Sequence, residues 1–256
     1  MIVILRIGSI TDLDPAEFAR MEAGDWREVF LLELVPILER RVNLLRALET
    51  APTDGTGWLV FTSANAVRFT LAFMEGRVRA SSPGQQFAPW NVSAIGAKTA
   101  EELGRHGISV GLIPSSADGA TLAQSLRSHG AQRILWPNNL SRRKELGDAL
   151  REGGFSLEEV SIYAEERSPT AERELSELLD SGVVEALGFT SENTVRAFHA
   201  WLAETGRDFQ RQYPNMRFGA IGPSTLQALV RSGVERVLVP QEPSVEALVE
   251  ALRPLS

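Results

Sequence analysis

The chain has 256 residues, 43% of them hydrophobic and 23% charged, which is ordinary for a globular protein and leaves room for two modest domains. It has no cysteine, which excludes disulfides, thiolate nucleophiles, iron–sulfur clusters and zinc–cysteine sites. A formal net charge of −7 argues against a nucleic-acid partner, and no apolar run approaches the roughly 20 residues of a membrane span.

In chain order, "IVILRI" (2–7) reads as a strand with no basic leader before it, so a cytoplasmic protein is expected. A poorly patterned stretch (10–27) precedes an extended segment (28–41) that contains Pro36 and reads as a sheet edge or connector. Strands are expected over 57–62, 92–96, 110–114 and 133–137, with a long loop over 77–91. An extended, charged segment over 156–169 contains a strand (157–165), and further strands are expected over 185–190, 217–222 and 236–240. Amphipathic stretches such as "ANAVRFTLAFME", "KTAEELGRHG" and "ENTVRAFHAWLAETG" lie between them, several closed by a capping Gly. This alternation predicts parallel sheets covered on both faces, an α/β class.

An internal repeat organises the chain. "FTSANAVR" (61–68) and "FTSENTVR" (189–196) agree at six of eight positions. "AIGAKTAEELGRHGI" (94–108) matches "AIGPSTLQALVRSGV" (220–234), and "LIPSSADGATLAQSLR" (112–127) matches "LVPQEPSVEALVEALR" (238–253). Three strand–turn–helix units recurring in order predict two similar α/β domains that face each other. The two extended segments together would form a paired linker.

In a parallel sheet, ligands gather beyond the carboxyl ends of the strands, over the helix N-termini. Thr62, Ser63 and Asn65, with Thr190, Ser191 and Asn193, can cap the next helix and leave amides pointing outward. Gly96, Ala97 and Thr99 occupy the same place in the second turn as Gly222, Pro223, Ser224 and Thr225. One such turn alone reads as a helix cap. Four equivalent turns on facing domains point to an anion-binding cleft.

Other motifs fail. "GAKT" resembles the tail of a phosphate-binding loop, but its two required glycines are Val92 and Ala97. No GxGxxG follows the first strand, and no GxSxG elbow exists. His106, His129 and His199 sit in or at the ends of helical stretches and read as structural, and no metal site is expected. Arg6 closes the first strand. Arg142 and Arg143 open a helix, where positive charge opposes the helix dipole; an anionic partner explains them, and so does a solvated surface pair. Tyr163, one of two tyrosines, lies in the linker segment, where it either packs or reaches a bound substrate.

Taken together, "LVFTSANAV", "AIGAKTAEEL", the turn and helix from Arg143, "VSIYAE", "ALGFTSENTVRAF", "AIGPSTLQAL" and "VLVPQEPSVEALVEAL" resemble the uroporphyrinogen-III synthase family. The resemblance runs from about residue 57 to the C-terminus. It implies two α/β domains on a two-stranded linker, one built from 1–36 plus 167–256 and the other from 37–166. It implies a cofactor-free cyclising lyase that dehydrates hydroxymethylbilane and closes it with inversion of ring D through a spiro intermediate. The polar turns, with Arg6 and Arg143, would hold the carboxylates of that small-molecule substrate, and Tyr163 would assist departure of its hydroxyl. A monomer is implied, with transient contact to other tetrapyrrole-pathway enzymes and no membrane partner. Where the family carries Arg-Pro after the first strand, this chain has Arg6-Ile7. A non-catalytic tetrapyrrole- or anion-binding homologue with the same bilobed fold is the alternative.

Overall fold

The computed structural model describes residues 1–8, 26–75, 87–141, 144–207 and 213–254. The stretch 10–25, most of the loop expected over 77–91, and both Arg142 and Arg143 lie outside the described residues. Two compact units result: Met1–Leu34 with Glu165–Ser256 (unit 1), and Val35–Ala164 (unit 2). The chain crosses between them twice, each time inside a strand.

Unit 1 holds β1 (Ile2–Ile7), most of β2 (Trp26–Pro36), β7 (Ala186–Phe189), β8 (Arg217–Ala220) and β9 (Val237–Leu238), in spatial order β2-β1-β7-β8-β9 and all parallel. β1 is apolar throughout its first four residues because it is covered on both faces. Val3 and Leu5 pack with Leu175, Phe189 and Phe198, whereas Ile2 and Ile4 pack with Leu248 and Leu252 on the other side. Among the described residues the helices of this unit are α6 (Pro169–Asp180), α7 (Glu192–Thr205), α8 (Pro223–Arg231) and α9 (Val245–Leu252). α9 lies so close to the sheet that a Cβ on Gly219 would come within 2.7 Å of Leu248 Cδ1, and one on Gly188 would collide with Ile4 Cδ1 from the neighbouring strand.

Unit 2 holds β3 (Gly57–Phe61), β4 (Asn91–Ala94), β5 (Arg133–Asn139) and most of β6 (Ser156–Arg167), in the order β4-β3-β5-β6 and parallel. Its helices among the described residues are α1 (Arg41–Glu49), α2 (Ala64–Met74), α3 (Ala97–Arg105), α4 (Gly119–Ser128) and α5 (Lys144–Glu152). Trp58, Val60, Ile134 and Trp136 form its core with Leu122, Leu126 and Leu150. The two units are topologically equivalent: β3 and β4 take the places of β7 and β8.

The edges depart from the sequence expectation. The strand expected over 110–114 is a single parallel bridge, Ser93 to Leu112, and that expected over 236–240 is only Val237–Leu238. Pro114 and Pro240 lack the N–H that would continue either ladder. Helices α1 and α6 add to the expected set, and Ser168 followed by Pro169 is a clear start signal for the second. Ser168 caps α6 by accepting from the Ala171 N–H at 3.3 Å.

Candidate active site

In unit 2, β3 delivers Thr62 and Ser63 to the head of α2. Ser63 is extended (φ −157°, ψ 153°), and its hydroxyl accepts from the Ala66 N–H at 3.0 Å, so it is a helix cap. The same oxygen lies 3.0 Å from the phenol oxygen of Tyr163. Tyr163 comes from β6, is 4% exposed, and stacks on Phe69 with ring centroids 4.8 Å apart. Thr62 Oγ1 accepts the indole N–H of Trp136 at 3.1 Å, which leaves its own proton to point elsewhere. Asn65 is half-buried in the first turn of α2. In the neighbouring turn Gly96 heads α3 without a side-chain cap, and Ala97 and Lys98 are exposed beside it.

In unit 1, the equivalent turn uses its side chains differently. Ser191 caps α7 by accepting from the Thr194 N–H at 3.1 Å, and Thr194 Oγ1 accepts in return from the Ser191 N–H at 3.2 Å, a reciprocal capping box. The Thr190 hydroxyl donates to the Leu5 carbonyl at 3.0 Å. The Asn193 amide donates to the Glu165 carboxylate, while its Oδ1 accepts from Arg196 at 2.5 Å. Gly222 heads α8 with Pro223 next, and Pro223 and Ser224 are exposed.

Thr99 and Thr225, expected to offer hydroxyls at the rim, are instead 5% and 2% exposed. Each stands at the third helical position of its helix, with its side chain buried rather than open at the rim. Arg6 donates to both carboxylate oxygens of Glu28, at 2.7 and 2.6 Å, and lies over the Phe30 ring. Its charge therefore balances a buried carboxylate. The histidines take structural positions. His129 meets the edge of Trp58, His106 sits 3.4 Å from Glu102, and burial pushes the His199 imidazole pKa down. A cavity of about 820 Å³ in unit 1, lined by His199, Tyr213 and Phe218, opens at the opposite ends of the strands from the polar turns.

Three participants carry no signal of their role in the residue patterns. Trp136 and Phe69 look like ordinary apolar residues, yet one holds Thr62 and the other holds the Tyr163 ring. Glu165, two positions after Tyr163 in β6, looks like linker charge, although that spacing places both on one face of the strand. No titratable cluster capable of holding a metal occurs among the described residues.

Two equivalent parallel α/β units, each with polar turns at the carboxyl ends of its central strands, define a duplicated α/β protein. The family model described as uroporphyrinogen-III synthase HemD matches residues 27–250. The chain belongs to the uroporphyrinogen-III synthase family. It is 29% identical over 166 residues to a putative uroporphyrinogen-III synthase of Methanothermobacter thermautotrophicus, covering 63% of this chain and 65% of that one, so the match spans just under two thirds of that relative. It is 25% identical over 203 residues to the uroporphyrinogen-III synthase of Chlorobaculum parvum, covering 76% and 79%. In fold it is similar to a mutant uroporphyrinogen III synthase of Thermus thermophilus (TM-score 0.63, 18% identity, 98% and 96% covered). The uroporphyrinogen-III synthetase of Helicobacter pylori is comparable (TM-score 0.60, 18% identity, 98% and 97% covered). No helix among the described residues is long and apolar enough to cross a membrane.

Proposed function

We propose that this chain dehydrates hydroxymethylbilane and closes it to uroporphyrinogen III. Loss of the terminal hydroxyl as water leaves an azafulvene; the substituted carbon of ring D attacks it to give a spiro intermediate, which fragments and recloses with that ring inverted. The substrate is reactive by itself, so the protein's work is mainly positioning and assistance to the leaving group.

The observation that carries this reading is the hydrogen-bonded path from the Ala66 N–H to Ser63 and on to Tyr163. Either oxygen can donate in the Ser63–Tyr163 contact; we take Ser63, whose Oγ already accepts the Ala66 N–H, as the donor to the phenol oxygen. The phenol is then oriented to donate to the departing hydroxyl, and each bond in such a path strengthens the next. Stacking on Phe69 and burial hold the ring in one rotamer. The helix-head amides at Gly96–Ala97 and Gly222, with the side chains of Thr62, Asn65 and Ser224, suit substrate carboxylates without a basic surface. Arg143, outside the described residues, is kept as a carboxylate partner on the family resemblance alone.

The test is incubation with enzymatically generated hydroxymethylbilane, followed by isomer analysis after oxidation. Isomer III is expected; isomer I alone, the spontaneous product, overturns the reading. Tyr163→Phe is expected to lower kcat at least about 100-fold while leaving thermal unfolding close to wild type. Undiminished isomer III formation removes Tyr163 from the mechanism. We read the protein as a cytoplasmic monomer, which sedimentation at micromolar concentration tests for the oligomeric part.

A further inference from the structure

Tyr163 and Glu165 share a face of β6, and each engages a copy of the same repeated turn. Within unit 2, Tyr163 meets Ser63 of "FTSANAVR"; within unit 1, Glu165 takes the amide of Asn193 in "FTSENTVR". The consequences for an incoming anion are opposite. A phenol adds a hydrogen-bond donor to its turn, whereas a carboxylate adds negative charge and consumes a donor. Glu192, half-buried in the first turn of α7 and 3.4 Å from Arg231, places a second carboxylate at the same helix head. At the corresponding positions unit 2 has Ala64 in place of Glu192 and the exposed Lys98 in place of Ser224.

We propose that Glu165 is a specificity-determining residue. Its carboxylate occupies the Asn193 donor that a substrate carboxylate would otherwise take, so the α7 turn of unit 1 disfavours a carboxylate-bearing arm. Anchoring of carboxylates is left to the α2 and α3 turns of unit 2 and the α8 turn of unit 1. The inference rests on the reading of function above and deepens it, since a turn that disfavours a carboxylate offers the arms of a polycarboxylate substrate unequal partners. The physical cause is competition and like-charge repulsion at one shared amide; a neutral isostere of Glu165 removes the charge and weakens its hold on the Asn193 amide, so that donor can pass to a substrate carboxylate.

The experiment is a fluorescence titration of wild type and Glu165→Gln with uroporphyrin III, the oxidised macrocycle that keeps all eight carboxylates, beside steady-state kinetics with hydroxymethylbilane. Glu165→Gln is expected to bind uroporphyrin III about tenfold more tightly at low salt, with the gain shrinking as ionic strength rises. The same gain is expected in KM rather than in kcat. Adding Asn193→Ala to Glu165→Gln is expected to abolish the gain, because the released donor is then missing. Unchanged or weaker binding by Glu165→Gln, a fall in kcat, or a gain that survives Asn193→Ala overturns the proposal. Glu165→Ala, judged by the same titration, serves if the Gln variant does not fold. Isomer III from wild type without an affinity gain in either variant sinks the Glu165 proposal alone. Isomer I from wild type sinks the functional reading, while the titration still decides on Glu165.

Discussion

The turn after β3 and the turn after β7 have nearly the same sequence and the same backbone. Ser63 and Ser191 are both extended caps, and the carbonyls of Phe61 and Phe189 accept from Ile95 and Ile221 at 2.9 Å in both cases. Their hydroxyls nevertheless serve different ends. Ser63 is shared with a phenol from β6, whereas Ser191 is turned back on Thr194. Thr62 receives an indole proton, whereas Thr190 gives its proton to the backbone of β1. The cap is set by a few adjacent residues, but the chemistry left over is set by whatever strand lies alongside.

The largest break in this comparison is expected from giving unit 1 a residue of unit 2. Gly188 corresponds to Val60, and Gly188→Val would drive its side chain into Ile4 and Leu248. A loss of about 3 kcal/mol or more is expected in chemical denaturation, because a packed core has no room for it. A loss under about 1 kcal/mol would mean that α9 can withdraw from the sheet.

A smaller effect is expected from an ion network at a position where unit 1 has an apolar residue. Glu102, aligned with Ala228, is 5% exposed and bonded by Arg68 at 2.9 and 3.1 Å, with Arg105 and His106 nearby. Arg68 is the main cause of a Glu102 pKa below the ordinary 4.5, with burial opposing it. A depressed folded-state pKa stabilises the protein above pH 4.5, and that stability is lost as pH falls through the folded value. Glu102→Gln is therefore expected to cost about 1–2 kcal/mol at pH 7, reduced because Arg68 is half exposed, and progressively less below pH 4.5. Denaturation midpoints at about pH 7 and about pH 3.5 check the trend; an equal loss at both would refute it.

The smallest stability change separates the two caps most cleanly. Ser63→Ala and Ser191→Ala are each expected to cost about 1 kcal/mol, since each removes one helix cap. Only Ser63→Ala is expected to lower kcat, by removing the partner of Tyr163. Equal kinetic losses in both variants would show that the repeated serines act alike.

Much of the fold is readable from residue patterns. The repeat at 61 and 189, with its companions at 94 and 220, announces two α/β units with parallel sheets because strand, turn and cap signals are local. The capping roles of Ser63 and Ser191 are legible for the same reason. Thr99 and Thr225 escape such a reading because their orientation depends on which helix face meets the sheet, and Arg6 because its carboxylate partner sits on another strand.

Sequence by itself thus determined the class, the duplicated turns and the caps, all consequences of contacts within a few residues of one another. Tertiary structure alone decided that Tyr163 reaches Ser63 across 100 positions, that Trp136 holds Thr62, and that Glu165 closes on Asn193. Those pairings are made by β5 and β6 running beside strands far away in the chain. No residue pattern records them, because hydrogen-bond partners across a sheet are chosen by register and packing.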